Sequence, residues 1–431
     1  MKAAAPIQIL GAGLTGMSAA YHLGGDFDLH EQRSTPGGHC ITREEQGYRF
    51  DVTGHLLHLR DTDMRAWVQR LIGDQCLSLE RKSRIFSHGV YTRYPYQANT
   101  YGLPKDIAYE CVMGFLKARE QASSAAPPKN FLEFSLQVFG EGFTKHFMRP
   151  YNEKIWGVPA TEITAEWCSR FVPQPKLDDV IAGALGINDH ELGYNTHFLY
   201  PRRGIQALTD AVVGSLPKPI RFSRNLKAVD YKRKQLSFDD GSIPYQALIS
   251  TAPLDRLVAL LVDVPSEVTA AATRLRCNPL NYIDVALNVP SGIDLHWVYV
   301  PEQRYPFYRV GCYSNFSAEM APAGRAGLYV ELASRQQLKL EDVMPQVMSG
   351  LIDMGIIKKP EDIAFARLRR IEHAYVVFDH AYYDALATIM PFLEEHNIIS
   401  HGRYGAWNYS AMEDALLYGR EAAQRAQDTL R

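Results

Sequence analysis

The sequence is poor in the features that mark specialised protein classes. Its 431 residues include only six cysteines, none with C-x-x-C spacing, so neither a disulfide framework nor a thiolate metal site is predicted. The net charge of −2 gives no electrostatic reason to expect a nucleic acid or an anionic membrane as partner. No apolar run reaches the ~18 residues of a spanning helix, and no charged-then-apolar leader precedes the first motif. We therefore expect a cytoplasmic protein with reduced thiols.

Several enzyme signatures are also missing. The chain contains no zinc-ligand spacing, no G-x-S-x-G sequence and no Walker sequence, so no metal ligands are assigned. The composition, with 46% hydrophobic and 22% charged residues, is ordinary for a globular protein. A chain of this length exceeds one ordinary core and is expected to form roughly two or three structural units.

The N-terminal stretch carries the strongest local motif. Residues 7–10 (IQIL) read as a buried strand, and Gly11, Gly13 and Gly16 follow with G-x-G-x-x-G spacing at the start of a predicted helix. In this motif the first glycine permits a tight turn and the second lets the backbone approach a pyrophosphate. The third lets the helix pack closely on the strand. A strand–helix turn without a ligand is the alternative interpretation of these glycines.

An acidic residue follows at the distance that dinucleotide sites use. Glu31 lies 20 positions after Gly11, where a carboxylate can hold a ribose hydroxyl. Arg33 and the pair Gly37 and Gly38 come next. This continuation resembles FAD-binding proteins of the amine-oxidase and glutathione-reductase type more than NAD dehydrogenases. The predicted cofactor contacts in this region are Gly11, Gly13, Gly16, Glu31, Arg33 and Gly38.

The pattern along the chain divides it into three units. Strands and glycine turns recur in residues 1–100, 201–275 and 395–431, which we assign to one discontinuous FAD-binding domain. Helical patterns dominate residues 101–200, which are predicted to bind the substrate or its nucleotide. Residues 276–394 hold several predicted strands of a substrate domain. The predicted fold is α/β: a Rossmann-like FAD-binding domain with an inserted helical domain and an additional antiparallel β-sheet domain.

Seven short motifs, rich in aromatic residues, occur in an order that is known from one enzyme family. They are residues 94–97 (YPYQ), 147–156 (FMRPYNEKIW), 195–198 (NTHF), 297–299 (WVY), 306–309 (PFYR), 373–375 (HAY) and 402–409 (GRYGAWNY). In this order they resemble the UDP-galactopyranose mutases, and most closely the eukaryotic branch of that family. Because the motifs extend over nearly the whole chain, this resemblance is far more specific than the glycine turn alone.

The resemblance implies a flavoprotein isomerase that acts on a nucleotide sugar without net redox change. The implied cofactor is reduced FAD, whose N5 attacks the anomeric carbon while the nucleotide diphosphate leaves. The sugar then recloses through a different hydroxyl, and the diphosphate returns to give the furanose, galactofuranose by family default. Two alternatives stay open: an FAD-dependent oxidase or desaturase of the amine-oxidase (protoporphyrinogen-oxidase-like) superfamily, and a flavin-binding interaction protein.

The same resemblance assigns the diphosphate end of the site. Arg309 suits it independently, because a guanidinium can bind two phosphate oxygens at once. Tyr299, Tyr375 and Tyr409 can donate hydrogen bonds to phosphate without adding charge. Without the resemblance, Arg309 also reads as a surface strand arginine, and each tyrosine as a core residue with a satisfied hydroxyl.

Aromatic faces and amides are assigned to the other end of the substrate. Such groups can hold a uracil ring by stacking and by hydrogen bonds. Phe147 and Trp156 also read as core residues of the helical unit. The resemblance implies base contacts from Tyr94, Gln97, Phe147 and Asn152, and contacts near the sugar from Trp156 and Asn195.

A glycine–histidine turn is implied to lie beside the flavin ring. Gly54 and His55 follow the predicted strand of residues 48–52, and a histidine there can change its charge near neutral pH. The family usually has two glycines before this histidine, whereas here the first is Thr53. Arg403 matches a family residue near the flavin. His55, Arg309 and Arg403 are therefore the predicted catalytic residues.

The C-terminal segment is predicted to complete the flavin site. Met412 and Glu413 begin a helix near the isoalloxazine and the ribityl chain, where a helix N-terminus favours an anionic reduced flavin. A further diphosphate arginine is expected a few residues after Trp167. Here Arg170 stands one position early, with Phe171 at the ungapped position, so its role stays open.

The sequence leaves the exact substrate open. The expected partner is a nucleotide sugar, by resemblance a UDP-sugar, with no nucleic acid and no membrane span. The identity of the sugar and of the base, the reductant (NAD(P)H or another donor) and the oligomeric state are not fixed by any motif.

Overall fold

The computed structural model describes residues 6–121, 126–167, 172–187, 196–332 and 334–431. Four parallel strands form one sheet, here called the nucleotide sheet, in the order Ile398–Ser400, Ala247–Ser250, Ile7–Leu10 and Phe27–His30. The four residues of Ile7–Leu10 are all buried, as expected for a central strand of a covered parallel sheet. The apolar core around it includes residues of helices Leu14–Leu23, Thr62–Ile72, Gln206–Gly214 and Met412–Thr429.

This parallel sheet confirms the predicted Rossmann-like α/β class. Its strands come from the beginning, the middle and the end of the chain, as the proposed discontinuous domain requires. The domain boundaries themselves remain predictions. Flanking strands are Thr42–Glu45 paired with Tyr48–Asp51, Cys76–Glu80 paired with His197–Pro201, and the antiparallel set Leu226–Asp230, Gln235–Phe238 and Gly241–Pro244.

A second, larger sheet has seven strands and is mostly antiparallel. Its order is Ile363–Val376, Cys277–Leu287, Ala326–Leu332, Phe307–Cys312, Trp297–Tyr299, Ser83–Ser87 and Val90–Arg93. The last two strands belong to the segment 1–100, so this sheet, here called the large sheet, extends beyond the predicted substrate-domain residues.

The two faces of the large sheet differ in chemistry. Ile283, Val285 and Val330 pack in one apolar core with Val347, which lies on helix Leu340–Asp353. Side chains alternate along a strand, so their neighbours point to the opposite face. The register pairs Asp284 with Tyr329 and Arg309 with Glu331, which places these four side chains together on that other, polar face.

The helical unit lies next to the polar face. It contains helices Lys105–Gln121, Phe131–Phe143, Arg149–Trp156 and Leu177–Leu185, with a π-helical turn at Thr144–Met148. A Cβ at Gly142 would lie 2.3 Å from the carbonyl oxygen of Glu110, so only glycine allows the first two helices to approach this closely. Other helices in the described part of the chain include Leu254–Leu260, Ser266–Thr273, Tyr313–Phe316, Tyr382–Glu395 and Gly402–Gly405. Within the described ranges, no helix has the length and apolar character to cross a membrane.

Candidate cofactor and substrate site

The three glycines of the N-terminal turn have three different environments. Gly11 has φ of +97°, a conformation that favours glycine. A Cβ at Gly16 would lie 1.9 Å from the carbonyl oxygen of Gly11, so this glycine allows the helix to contact the strand. A Cβ at Gly13 would meet no heavy atom within 4 Å. The helix therefore begins at open space, as binding of a pyrophosphate requires.

The other predicted cofactor residues lie against the same turn. Glu31, 7% exposed, accepts hydrogen bonds from the main-chain N–H of Ala12 (2.8 Å) and of Arg33 (2.9 Å). Arg33 donates through Nη1 to the carbonyl of Gly38 at 3.1 Å, and a Cβ at Gly38 would lie 3.4 Å from the Cα of Gly13. The sequence motif thus assembles into one dinucleotide-type turn with a carboxylate beside it.

The turn before His55 keeps a glycine-like backbone without the usual glycine. Thr53 has φ of +64°, which is uncommon for a β-branched residue. Tyr313 holds the turn by donating to the carbonyl of Asp51 at 2.7 Å. A Cβ at Gly54 would lie 2.5 Å from Oη of Tyr329, so the second glycine is required by packing.

His55 is uncharged in this environment. Burial lowers the pKa of His55 to about 4, and the positive charges of Arg403 and Arg309 act in the same direction. The expectation of a charge change near neutral pH is therefore wrong for the protein on its own. The main chain of Thr53 and Val52 acts in the opposite direction on this pKa through hydrogen bonds with the ring.

Arg403 connects the C-terminal turn with neighbouring segments. It donates to the carbonyls of Ser410 (2.6 Å) and Ala374 (2.9 Å). Its guanidinium carbon lies 4.8 Å from the ring centroid of Tyr409 and 5.9 Å from that of Tyr375. These cation–π contacts place the predicted flavin-side arginine directly beside two predicted diphosphate residues.

Met412 and Glu413 begin the last helix, as predicted. Met412 is 8% exposed and packs in the core of the nucleotide sheet. Glu413, 3% exposed, accepts from the main-chain N–H of Asp61 at 2.7 Å and from that of Arg60, and pairs with the Arg60 side chain at 3.3 Å. In this structure the Glu413 carboxylate anchors residues 60–61.

Aromatic side chains from separate segments converge near Arg403. The rings of Tyr375 and Tyr409 stack with centroids 6.2 Å apart, and Trp156 lies 5.9 Å and 6.1 Å from them. Tyr308 donates from its hydroxyl to that of Tyr375 at 3.3 Å. We refer to Tyr94, Tyr151, Trp156, Tyr299, Tyr308, Tyr375 and Tyr409 as the aromatic cluster.

Tyr299 links this group to the predicted base end. Its ring lies 5.3 Å from that of Tyr94 and 5.6 Å from that of Tyr151. Burial raises the pKa of Tyr94, Tyr299 and Tyr375 above the ordinary tyrosine value. These hydroxyls therefore stay protonated near neutral pH and can donate hydrogen bonds to an anion without carrying charge.

Arg309 is held by a buried carboxylate. Its Nε and Nη2 each lie 2.7 Å from an oxygen of Glu331, whose side chain is 0% exposed against 23% for Arg309. Burial alone would lower the pKa of Arg309, but Glu331 raises it overall, so the cation is permanent. Nη1 lies outside the pair. The positive charge acts on the hydroxyls of Tyr299 and Tyr375.

The amides of the predicted base end have internal partners. Gln97 donates to the carbonyl of Pro173 at 2.6 Å. Asn152 donates to the carbonyl of Met148 at 2.7 Å and accepts from Nε1 of Trp156 at 3.3 Å. Their positions are thus fixed before any ligand binds.

Phe147 belongs to a stack of rings. Its centroid is 5.0 Å from that of Tyr96, with 10° between the ring planes, and 5.0 Å from that of Tyr151, with 9°. Phe147 is 6% exposed, so it joins the core of the helical unit to the aromatic cluster. Arg170 and Asn195, like Phe171, lie outside the described residues.

Some site residues were not anticipated from the sequence. Glu331 is a lone acid in the apolar strand Ala326–Leu332, a signal that sequence analysis alone could have used. Arg81, 7% exposed, lies over Tyr94 with 5.0 Å between guanidinium carbon and ring centroid. Nothing in the sequence around Arg81 indicates that position. Lys154 lies inside a motif that was interpreted only through its aromatic and amide neighbours.

Comparison with known proteins identifies a related domain family and similar folds. Residues 9–71 match the NAD(P)-binding Rossmann-like domain family. A reduced UDP-galactopyranose mutase is 27% identical, with a TM-score of 0.93 over 98% of this chain and 96% of that one. A candidate protoporphyrinogen oxidase from Exiguobacterium sp. 255-15 is 15% identical, with a TM-score of 0.77 over 98% of each chain. A redesigned putrescine oxidase is also 15% identical, with a TM-score of 0.69 over 99% of each chain.

The oxidases share the fold alone, whereas the mutase is similar in both sequence and fold. The comparisons do not test the eukaryotic branch, which remains a prediction. In its fold, and over nearly its whole length, the chain is similar to a UDP-galactopyranose mutase, as its ordered motifs predicted.

Proposed function

We propose that this protein is an FAD-dependent nucleotide-sugar mutase that interconverts pyranose and furanose forms, with UDP-galactose as the first substrate to test. One observation carries the proposal: residues of separate segments meet, because the charge of Arg309 acts on the hydroxyls of Tyr299 and Tyr375 and the guanidinium of Arg403 contacts the rings of Tyr375 and Tyr409. A departing diphosphate requires a fixed cation and neutral hydrogen-bond donors. An oxidase acting on an uncharged substrate has no need for this combination.

The residues around Gly11 and Glu31 fit the pyrophosphate and a ribose of FAD, and the turn of Gly54 and His55 is proposed to lie beside the flavin ring. When bound in its reduced form, FAD supplies the nucleophile for the anomeric carbon. Arg309 and the phenols then hold the diphosphate in place as it leaves and returns. Gly13, Gly16, Arg33, Gly38, Gly54, Met412 and Glu413 are the further proposed cofactor residues.

Substrate contacts are proposed along a line through the aromatic cluster. Tyr94, Gln97, Phe147 and Asn152 form the base end in this proposal. Tyr94 contacts the ring of Tyr299 directly, and Phe147 stacks on Tyr151, which contacts Tyr299 as well. Trp156 is proposed to contact the sugar, since it lies between the base end and Tyr409. Asn195 and Arg170 remain proposals from the family resemblance alone.

The test is incubation of anaerobic, dithionite-reduced protein with a panel of nucleotide sugars, followed by NMR of the ring form. The expected result is a new furanose isomer with no stoichiometric oxygen uptake in parallel aerobic assays. Peroxide without an isomer would instead support the oxidase or desaturase alternative. The absence of both activities would favour a flavin-binding interaction protein. The same assay, repeated with NAD(P)H, tests the reductant. Galactofuranose as product and a cytoplasmic location remain predictions.

A further inference from the structure

A buried lysine lies in the middle of the base-end helix. Lys154 is 8% exposed and stands between Asn152 and Trp156 on helix Arg149–Trp156. Its Nζ donates to the carbonyls of Val300 (3.2 Å) and Phe307 (2.9 Å) and to that of Glu302. A lysine ammonium has three N–H donors, so these carbonyls use its full donor capacity.

These carbonyls belong to one connection in the large sheet. Val300 directly follows the strand that ends at Tyr299, and Phe307 begins the strand that carries Tyr308 and Arg309. The ammonium therefore holds both ends of the connection between two strands that carry predicted diphosphate residues. A main-chain hydrogen bond from Val300 N–H to the carbonyl of Tyr308, 2.8 Å long, closes the same hairpin.

Burying an ammonium group is costly. Burial lowers the pKa of Lys154 to about 7, opposed by the charge of Glu302, so the ammonium that donates all three hydrogen bonds is the form that prevails below about pH 7. An apolar side chain of similar volume would fill the same space without a desolvation cost. Hydrogen bonds are directional, so the three bonds from Lys154 fix the orientation of the hairpin relative to the helix. An apolar contact does not fix this orientation.

We propose that Lys154 is a positioning residue that sets the spacing between the base end and the diphosphate end of the nucleotide-sugar site. The inference rests on the proposed function, because it takes helix Arg149–Trp156 as a base-end element and Tyr299 and Arg309 as diphosphate contacts. Lys154 acts through these residues and does not touch the substrate itself. A ligand that reaches both ends depends on the spacing, whereas a ligand that reaches one end does not.

This difference defines the experiment. Lys154→Met removes the donors at similar volume, and binding is measured for UDP by calorimetry and for uridine and inorganic pyrophosphate by ligand-observed NMR. We expect UDP affinity to fall by about tenfold or more, and the affinities for uridine and pyrophosphate to stay within about twofold. Lys145→Met is the matched control, since Lys145 is 63% exposed and, among the described residues, pairs with Glu110 at the surface.

A measurement without ligand keeps the test independent of the substrate. Hydrogen exchange in residues 300–307 is expected to rise in Lys154→Met and to stay unchanged in Lys145→Met. Should Lys154→Met not fold, Lys154→Gln, which retains two N–H donors, is used with the same readouts.

Three outcomes overturn the proposal: unchanged UDP affinity, an equal loss for all three ligands, or unchanged exchange in residues 300–307. A wild-type protein that binds no UDP overturns both this proposal and the proposed function. Wild-type UDP binding with a negative result for Lys154→Met overturns the positioning role alone.

Discussion

Two arginine–carboxylate pairs lie on the polar face of the large sheet, and they are built differently. Arg309 meets Glu331 through two contacts of 2.7 Å, whereas the contact between Arg369 and Asp284 is 3.2 Å from Nε to Oδ2. Both carboxylates are 0% exposed. Oδ1 of Asp284 is buried without a hydrogen-bond partner among the residues that the structure describes.

The strand register explains the difference. Arg309 stands directly opposite Glu331, so the fork of the guanidinium meets both carboxylate oxygens. Arg369 stands opposite Tyr282, and Asp284 is its diagonal neighbour, which allows a less complete contact. Burial then raises the pKa of Asp284 to about 7, although Arg369 opposes this shift. One pair fixes a permanent cation beside the aromatic cluster, and the other leaves an acid that titrates near neutral pH.

Arg309 and Arg369 are expected to differ most in their contribution to UDP binding. Arg309→Ala should weaken UDP binding by about 2–5 kcal/mol, because a charge-assisted contact is lost and Glu331 is left buried without its partner. Arg369→Ala should change UDP affinity by less than about 0.5 kcal/mol, because Arg369 lies outside the aromatic cluster. Isothermal titration with UDP measures both. Wild-type affinity in Arg309→Ala would contradict the assignment of the diphosphate end.

A double variant controls for the buried charge. Arg309→Met with Glu331→Leu removes both charges at similar volume and should recover most of the stability that Arg309→Ala loses, roughly 3–5 kcal/mol. UDP binding should stay weak in the double variant. Recovery of binding together with stability would show that Arg309 acts on the fold alone.

The stability of the folded protein is expected to depend on pH through Asp284. The pKa of Asp284 is raised from its ordinary 3.8 to about 7, so the folded protein keeps a proton that the unfolded chain releases near pH 4. Wild-type stability attributable to Asp284 therefore falls as the pH rises from about 4 to about 7. Asp284→Asn removes this dependence.

The measurement is urea unfolding of both proteins across this range. The free energy of unfolding of Asp284→Asn, relative to that of the wild type, should rise by roughly 2–3 kcal/mol between pH 5 and pH 8. Glu331→Gln, compared in the same way, should be destabilised at every pH in that range, because both oxygens of Glu331 accept hydrogen bonds from Arg309. A constant difference between wild type and Asp284→Asn would show that Asp284 stays ionised.

Conservative replacement of either arginine by lysine is expected to change the free energy of unfolding only slightly. Arg369→Lys should cost less than about 1 kcal/mol of unfolding free energy, because its side chain is 33% exposed and a partly exposed ion pair contributes little. Arg309→Lys should cost more, since an ammonium cannot form the two parallel contacts with Glu331. Thermal unfolding of both variants tests the ranking. Equal losses would mean that the second contact of Arg309 contributes nothing.

The features of the site differ in whether the sequence alone can predict them. Local spacing in the sequence defines the glycine turn, the position of Glu31 and the order of the aromatic motifs. These patterns were sufficient to predict the turn geometry and the fold. The partner of Arg309 depends on strand register between distant segments, so Glu331 was not identified. The titration of Asp284 and the positive φ of Thr53 arise from burial and tertiary packing, which no local pattern encodes.

Cleavage of the bond between the anomeric carbon and the diphosphate distinguishes a mutase from an oxidase or a flavin-binding interaction protein. UDP-galactose carrying ¹⁸O in the bridging position is incubated with reduced and with oxidised protein, and the position of the label is measured by ³¹P NMR. We expect the label to move to non-bridging positions only with reduced protein, because a diphosphate that leaves and returns can use any of its terminal oxygens. A label that stays in the bridge in both states, in protein that binds UDP-galactose, would contradict it.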